Sequence, residues 1–274
     1  MKKNIFIIIL IFISKSLLSQ NVDTTIIKIK NRKIIVLNEK ISDTNDTLSS
    51  HHSFFYNVNE AHWAGIGIGV NYFTNSQLTT NFTEINIKNS SGGQKFLEIL
   101  PEKSFEVQLN FAEKNFSIYK NHISLTTGLG LQFNNYRFKN NYRLNSDLQT
   151  ISADLDTINT FLKSKLTVSY LTLPLLLEFR FPNKYNDKNI FLSFGVVGQL
   201  RLGSHTKYVY NINGCKTKDK NRDRFHINPF NYNYIATIGY DDISFYAKYS
   251  YSSFFINNEG PKIYTISFGI IFNM

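Results

Sequence analysis

A single cysteine, Cys215, in 274 residues means that no intramolecular disulfide holds this chain, so its fold must be stable on packing and hydrogen bonding alone. Charge is scarce too: only 18% of the residues are Asp, Glu, Lys or Arg, a composition that suits a surface meeting lipid better than one wholly in water. Long apolar runs are missing beyond the N-terminus, and with a mean hydropathy of −0.21 the chain hides no helical membrane protein. The apolar run at the N-terminus is followed by no cysteine, which excludes a lipoprotein anchor. A Gly-x-Ser-x-Gly elbow is absent, and His51, His52 and His226 have no ligand spacing, so neither a hydrolase of that type nor a metal site is indicated.

Aromatic residues are abundant, at 15%, with 24 Phe and 16 Tyr. The N-terminus reads Lys2-Lys3, an apolar stretch over residues 5–13 and a short polar end from Lys15 to Gln20, the layout of a secretory signal peptide cleaved near Ser19. Export makes nucleic acid an improbable partner for a chain with a pI near 9.4. The formal charge falls from +10 to +7 once Lys2, Lys3 and Lys15 are removed, and anionic lipid headgroups or surface polysaccharide are the expected acidic neighbours.

The last stretch sets the architecture. Tyr264, Ile266, Phe268, Ile270, Phe272 and Met274 alternate with Thr265, Ser267, Gly269, Ile271 and Asn273, one face greasy and the other small and polar. A closed barrel with lipid outside and a polar interior fits that pattern, and closure requires copies upstream because an open sheet edge is not tolerated in hydrocarbon. The copies are found over residues 61–73, 104–112, 123–133, 166–181, 190–202, 230–240 and 243–251. The expectation is an all-β, transmembrane, antiparallel up-and-down barrel of about eight strands. Long polar loops are predicted over 74–102, 139–163 and 205–228, and short turns at 183–188 and Asp241-Asp242. Leu166 and Val168 are out of phase with Leu171, Leu173, Leu175, Leu177, Phe179 and Phe181, a slip that predicts a β-bulge near Ser169-Tyr170. Pro174, which lacks a donor, belongs at a gap in the ladder or beside that bulge.

The segment Ser169-Tyr170-Leu171-Thr172-Leu173-Pro174-Leu175-Leu176-Leu177-Glu178-Phe179-Arg180-Phe181 resembles the PorT-like outer-membrane β-barrel proteins of Gram-negative bacteria, in which Tyr-Leu-x-x-Pro-Leu-Leu-Leu recurs. His62-Trp63-Ala64-Gly65 and the residues 24–36 ahead of it are similar to the same group. The resemblance implies the barrel and the outer membrane. It leaves activity open, since one member is tied to a protein secretion system and most are uncharacterised.

The division expected is a signal peptide over 1–19, a periplasmic segment and linker over 20–60, and the barrel over 61–274. Within 20–60, residues 24–36 read as a small hairpin or an edge strand and 43–52 as a linker. Glu106, Glu178, Arg180, Arg201 and Lys248 all point inward in this reading, at different heights, and form a charge network filling a lumen too narrow for solutes. Lys207, Lys216, Lys218, Lys220, Arg222 and Arg224 make the third long loop basic, a candidate site for phosphate groups. His122 and Ser124 share a strand face, the one hint of lipid-modifying catalysis; the chain is read as no enzyme, needing no cofactor. Expected partners are outer-membrane lipid and periplasmic or secretion-system proteins, with the barrel a monomer.

Overall fold

The computed structural model describes residues 24–29, 32–37, 61–75, 78, 96–119, 122–181, 190–212 and 214–274. The signal peptide, the linker over 43–52 and the turn over 183–188 lie outside the described residues. The chain divides into two units, Met1–Phe55 and Tyr56–Met274. In the first, β1 (Thr24–Ile29) and β2 (Arg32–Leu37) pair antiparallel, from Thr24 opposite Leu37 to Ile29 opposite Arg32. Of the two alternatives left by the sequence, the hairpin is the one that forms.

The second unit holds β3 (Gly65–Thr74), β4 (Phe105–Tyr119), β5 (Ile123–Arg137), β6 (Tyr142–Asn145), β7 (Ser152–Leu155), β8 (Phe161–Phe181), β9 (Ile190–Ile212), β10 (Cys215–Arg222), β11 (Phe230–Tyr240), β12 (Ile243–Ser250) and β13 (Tyr264–Asn273). Eight of these close on themselves in the order β3, β4, β5, β8, β9, β11, β12, β13, each antiparallel to its neighbour, with Tyr264 to Asn273 returning against Thr74 to Gly65. Closure leaves no spanning strand with an unpaired edge, the condition for crossing hydrocarbon. Strand alternation follows the expected faces: β11 and β12 expose every other residue, Phe230, Tyr232, Tyr234, Ile238 and Tyr240 outward and Asn231, Asn233 and Thr237 inward. Both barrel ends of the chain meet beside the Asp241-Asp242 turn, where Asn273 N–H donates to Asp242 and Met274 N–H to Ala64. That turn takes only two residues because Asp241 adopts a left-handed φ of 55°.

The opposite end carries the long connections, and here the sequence reading needs correcting. Residues 205–228 are not a loop: β9 continues to Ile212 and returns as β10, paired from Cys215 opposite Ile212 to Arg222 opposite His205. Likewise 139–163 contains the β6–β7 hairpin and the start of β8. The register does shift at Ser169/Tyr170, but the extra residue is Leu202 on the partner strand, since Ser169 faces Gly203 and Tyr170 faces Arg201. From Lys163 to Phe181, strand β8 therefore keeps one phase. Leu166 and Val168 point inward like Tyr170 because β8 has left the membrane there, and the inside is now the apolar side. They join Phe73, Phe96, Tyr136, Phe225 and Phe254 in an apolar cluster that caps the lumen.

Interior glycines make the barrel narrow enough to fill. Gly69 and Gly269 face each other across β3 and β13, and the Tyr246 ring occupies the space they leave. A Cβ on Gly269 would lie 2.3 Å from the Ile68 carbonyl oxygen and 2.7 Å from the Tyr246 ring. Backbone cannot yield as a side-chain tip can, so Gly269→Val is expected to destabilise the barrel by at least the ~1–3 kcal/mol of ordinary overpacking. Urea unfolding in detergent micelles, followed by heat-modifiable gel migration, measures the loss; a midpoint equal to wild type would contradict this packing.

Candidate anion-binding face

The inward charges form two separate clusters. At mid-height, the fully buried Glu106 accepts from Lys248 Nζ at 2.9 and 3.1 Å, Gln108 Nε2 at 2.8 Å, Gln132 Nε2 at 3.0 Å and Tyr246 Oη at 2.5 Å. Lys248 also donates to Gln132 Oε1 at 2.8 Å. Every participant is satisfied, which is what lets one ion pair persist out of water. Nearer the two-residue turn, Glu178 Oε1 takes Arg180 Nε at 2.6 Å and His62 Nδ1 at 3.0 Å, and His62 stacks on Phe191. Between the clusters lies an apolar layer of Trp63, Leu176, Val197, Ile235 and Ile271 around the Tyr246 ring. Arg201 belongs to neither cluster, contrary to the sequence reading. Half-buried at the outer mouth, it donates from Nη1 to the Arg224 carbonyl. Inward direction was readable from period two; which charges meet depends on register, which was not.

The second predicted group changes more. Lys207, Lys216, Lys218, Lys220 and Arg222 are strand residues on one face of a sheet extension made by the outer ends of β5, β8, β9 and β10. Arg224 is not with them; it lies beyond β10 in the turn at the mouth. Pairing places Arg137 beside Lys165, Lys165 beside Lys207, and Lys207 beside Lys220, four cations abreast across four strands. Lys163 and Lys218 flank Val209 one row further out, and His205 and Arg222 share the row below. Arg137, Lys163, Lys165 and His205 were missed in the sequence because they lie far apart in the chain; only the register brings them together.

The bulge makes this arrangement possible. Without the extra Leu202, β9 would carry Lys207 to the inner face, because a one-residue slip exchanges the two faces of a strand. The inner face is held by Arg143 of β6, whose guanidinium lies 5.1–5.3 Å from the ring centres of Phe161, Tyr208 and Tyr210. Arg143 also pairs with Asp156 at 2.9 Å and Asp219 at 2.6 Å, while Leu144 N–H donates to Tyr208 Oη at 2.9 Å. Burial pushes the Asp156 carboxyl up, but N–H donation from Asn159, the Arg143 pair and Ile158 N–H overcome it and hold the group at about 2. The clamp therefore stays charged across physiological pH.

On the four strands of the extension the only carboxylates are Glu178, at the other end of the barrel, and Asp219, consumed by Arg143 on the opposite face. Neighbouring strands lie ~4.8 Å apart, and two cations whose charged ends kept that spacing would repel by about 1 kcal/mol even in bulk water. Blunting the free edge of β10 would need lysines on one strand only, whereas here the charge runs four strands deep. The repulsion is visible in the titrating groups. Burial, then the charges of Lys220, Lys165, Arg222 and Lys207, lowers His205 below the usual imidazole value. Burial, then Lys163, Lys207, Lys220 and Arg137, lowers Lys165.

The family model for the outer membrane protein beta-barrel domain matches residues 61–255. This chain belongs to that family. No curated protein matches it. Among solved structures, Ail, the attachment invasion locus protein of Yersinia pestis, is similar at 13% identity over 77% of this chain and 99% of that one, with a TM-score of 0.27.

As an outer membrane protein beta-barrel, the chain meets lipid with Leu171, Leu173, Leu175 and Phe181 of β8. Lys165 is on the same strand face, six residues past Leu171, so ~20 Å further along the strand and ~14 Å higher at a ~45° tilt. The cations accordingly lie on the strand face that carries the leucines, beyond the apolar band.

Two outcomes test the electrostatics. Glu106→Gln alone leaves the Lys248 charge buried without its partner and is expected to cost about 3–5 kcal/mol, whereas Glu106→Gln with Lys248→Met recovers most of that loss. Urea midpoints for the single and double variants decide it; equal losses would mean that the pair is not coupled. For the outer face, Lys220→Gln removes a cation that disfavours the protonated imidazole, so the His205 pKa must rise in an NMR titration. An unmoved His205 would dissolve the cluster.

Proposed function

We propose that this chain is a non-catalytic interaction protein of the outer membrane, without an open pore, whose sheet extension binds the phosphate groups of outer-leaflet lipid headgroups. The observation that carries the reading is the row Arg137, Lys165, Lys207 and Lys220, with no carboxylate on its face and on the strand face that carries the lipid-facing leucines of β8. Guanidinium and ammonium donors on phosphate oxygens form charge-assisted hydrogen bonds, and a row of them matches a headgroup with more than one phosphate. The lumen, filled by the Glu106 and Glu178 clusters and capped at the mouth, favours a scaffold over a channel. Catalysis has little support: His122 is exposed in a turn, and Ser124 Oγ accepts from Arg180 at 3.2 Å.

A second reading follows from the resemblance of residues 169–181 to PorT-like proteins and from the β1–β2 hairpin, a sheet of its own outside the barrel ladder. It makes the chain an accessory of a secretion machinery, with the hairpin as the contact for periplasmic protein. Deletion of residues 24–36 then abolishes capture of periplasmic proteins while the barrel still inserts; capture that survives the deletion rejects it.

For the headgroup reading, thermal unfolding of the full chain in detergent is measured with added bisphosphorylated lipid A. A ligand that binds only the folded state at one hundred times its Kd stabilises it by about 2.7 kcal/mol. Wild type should gain stability that added salt erodes, and the variant Lys165→Gln, Lys207→Gln, Lys220→Gln should lose that gain. Equal stabilisation of both proteins, or none of wild type, would reject the assignment.

A further inference from the structure

Above the lumen cap, between the tip of the β6–β7 hairpin, β9 and the turn that follows β10, lies a cleft of about 940 Å³. Three guanidinium groups line it, those of Arg201, Arg222 and Arg224, together with the carboxylates of Asp223 and Glu259. Both carboxylates are already engaged. Asp223 accepts from the Ser146 hydroxyl and, at 2.5 Å, from Arg224 N–H, while Glu259 is paired with His226 Nδ1 at 2.7 Å. Among the described residues none of the three arginines is in an ion pair, and the fixed contact of Arg201 is to a carbonyl, that of Arg224. The cleft thus sets three arginines against two carboxylates, an excess of positive charge in its walls even with Asp223 acting on Arg201.

The turn that presents these groups is strained. Phe225 and His226 are consecutive residues in the left-handed region, with φ of 47° and 51°. Such conformations cost about 1–3 kcal/mol each and persist only when the surroundings over-determine them. Here Phe225 is buried in the lumen cap, and His226 is held by Glu259 and by the Ser146 carbonyl at 3.2 Å. The consequence is a display of Arg222 and Arg224 on either side of an apolar floor that includes Phe225, Pro229 and Ile256. Forked donors suit a planar or tetrahedral oxyanion, and the apolar floor suits the C–H face of a ring.

We propose that this cleft is a second site, adjoining the headgroup face through Arg222, that takes a sugar unit bearing a carboxylate or phosphate group. Its position at the top of the barrel makes it open to ligands from outside, while the volume accommodates one or two ring units and excludes a folded protein.

Calorimetric titration of the full chain in glycolipid-free detergent micelles tests it, with glucuronic acid and glucose 1-phosphate as probes and glucose and inorganic phosphate as controls. Both acidic sugars are expected to bind, glucose not at all, and inorganic phosphate more weakly than glucose 1-phosphate. Arg222→Ala with Arg224→Ala, both exposed and so tolerated by the fold, should weaken the acidic sugars at least about tenfold. Lys165→Gln with Lys207→Gln should leave them unchanged, which separates failure here from failure of the headgroup reading. Undiminished binding by the arginine variant, equal binding of glucose, or equal binding of inorganic phosphate would overturn the proposal. Repeating the titration in vesicles with a glycolipid outer leaflet identifies the source: retained binding points to the acidic end of a free glycan, and competition by the vesicle to the sugar of the lipid itself.

Discussion

Everything in this molecule depends on one requirement: in hydrocarbon, each backbone N–H and C=O must find a partner within the protein. The pairing of β13 with β3 and of β8 with β9 meets it by closing eight strands into a ring. Closure at so few strands leaves an interior only as wide as the side chains that line it. Glycines opposite each other give way to Tyr246, and Tyr246 supports Glu106, so the ion pair with Lys248 is a product of the same geometry. A lumen so filled favours a scaffold over a channel. In the proposed reading activity sits at the ends, where loops and strand extensions are free of the membrane's constraints.

The spanning strands were legible because lipid imposes a strict alternation. Period two in residues 264–274, and its copies upstream, placed nearly every outward Leu, Ile, Phe and Tyr correctly. Above the membrane the alternation survives but its meaning reverses, which is why Leu166 and Val168 looked like a phase error in β8 when the inserted residue was Leu202 in β9. The hairpin strands β6 and β10 were read as loops for a related reason: Cys215 to Arg222 carries four cations and no large apolar residue, so nothing in its composition signals a strand. Its partner β9 supplies the signal, through a register that composition does not contain.

The candidate sites were partly visible for the same reason. Five of the six basic residues singled out between 207 and 224 do line one face, but the face is completed by Arg137, Lys163, Lys165 and His205 from other strands. Arg224 separates from them at a strained turn and joins Arg201 in the cleft, which takes Arg201 out of the lumen network to which its inward direction had assigned it. Charge sign and strand face are sequence properties; cross-strand neighbours are not. Arg143 clamps the inner face of the extension, and the cations occupy its other face.

The central claim is that β9 and β10 form this extension outside the cell, and the chain carries its own probe for it. Cys215, the only cysteine, is exposed where β10 begins, opposite Ile212. A maleimide too polar to cross the outer membrane, applied to intact cells, should label it as fully as it does after the membrane is permeabilised. Labelling that appears only after permeabilisation would place the extension in the periplasm and contradict the account.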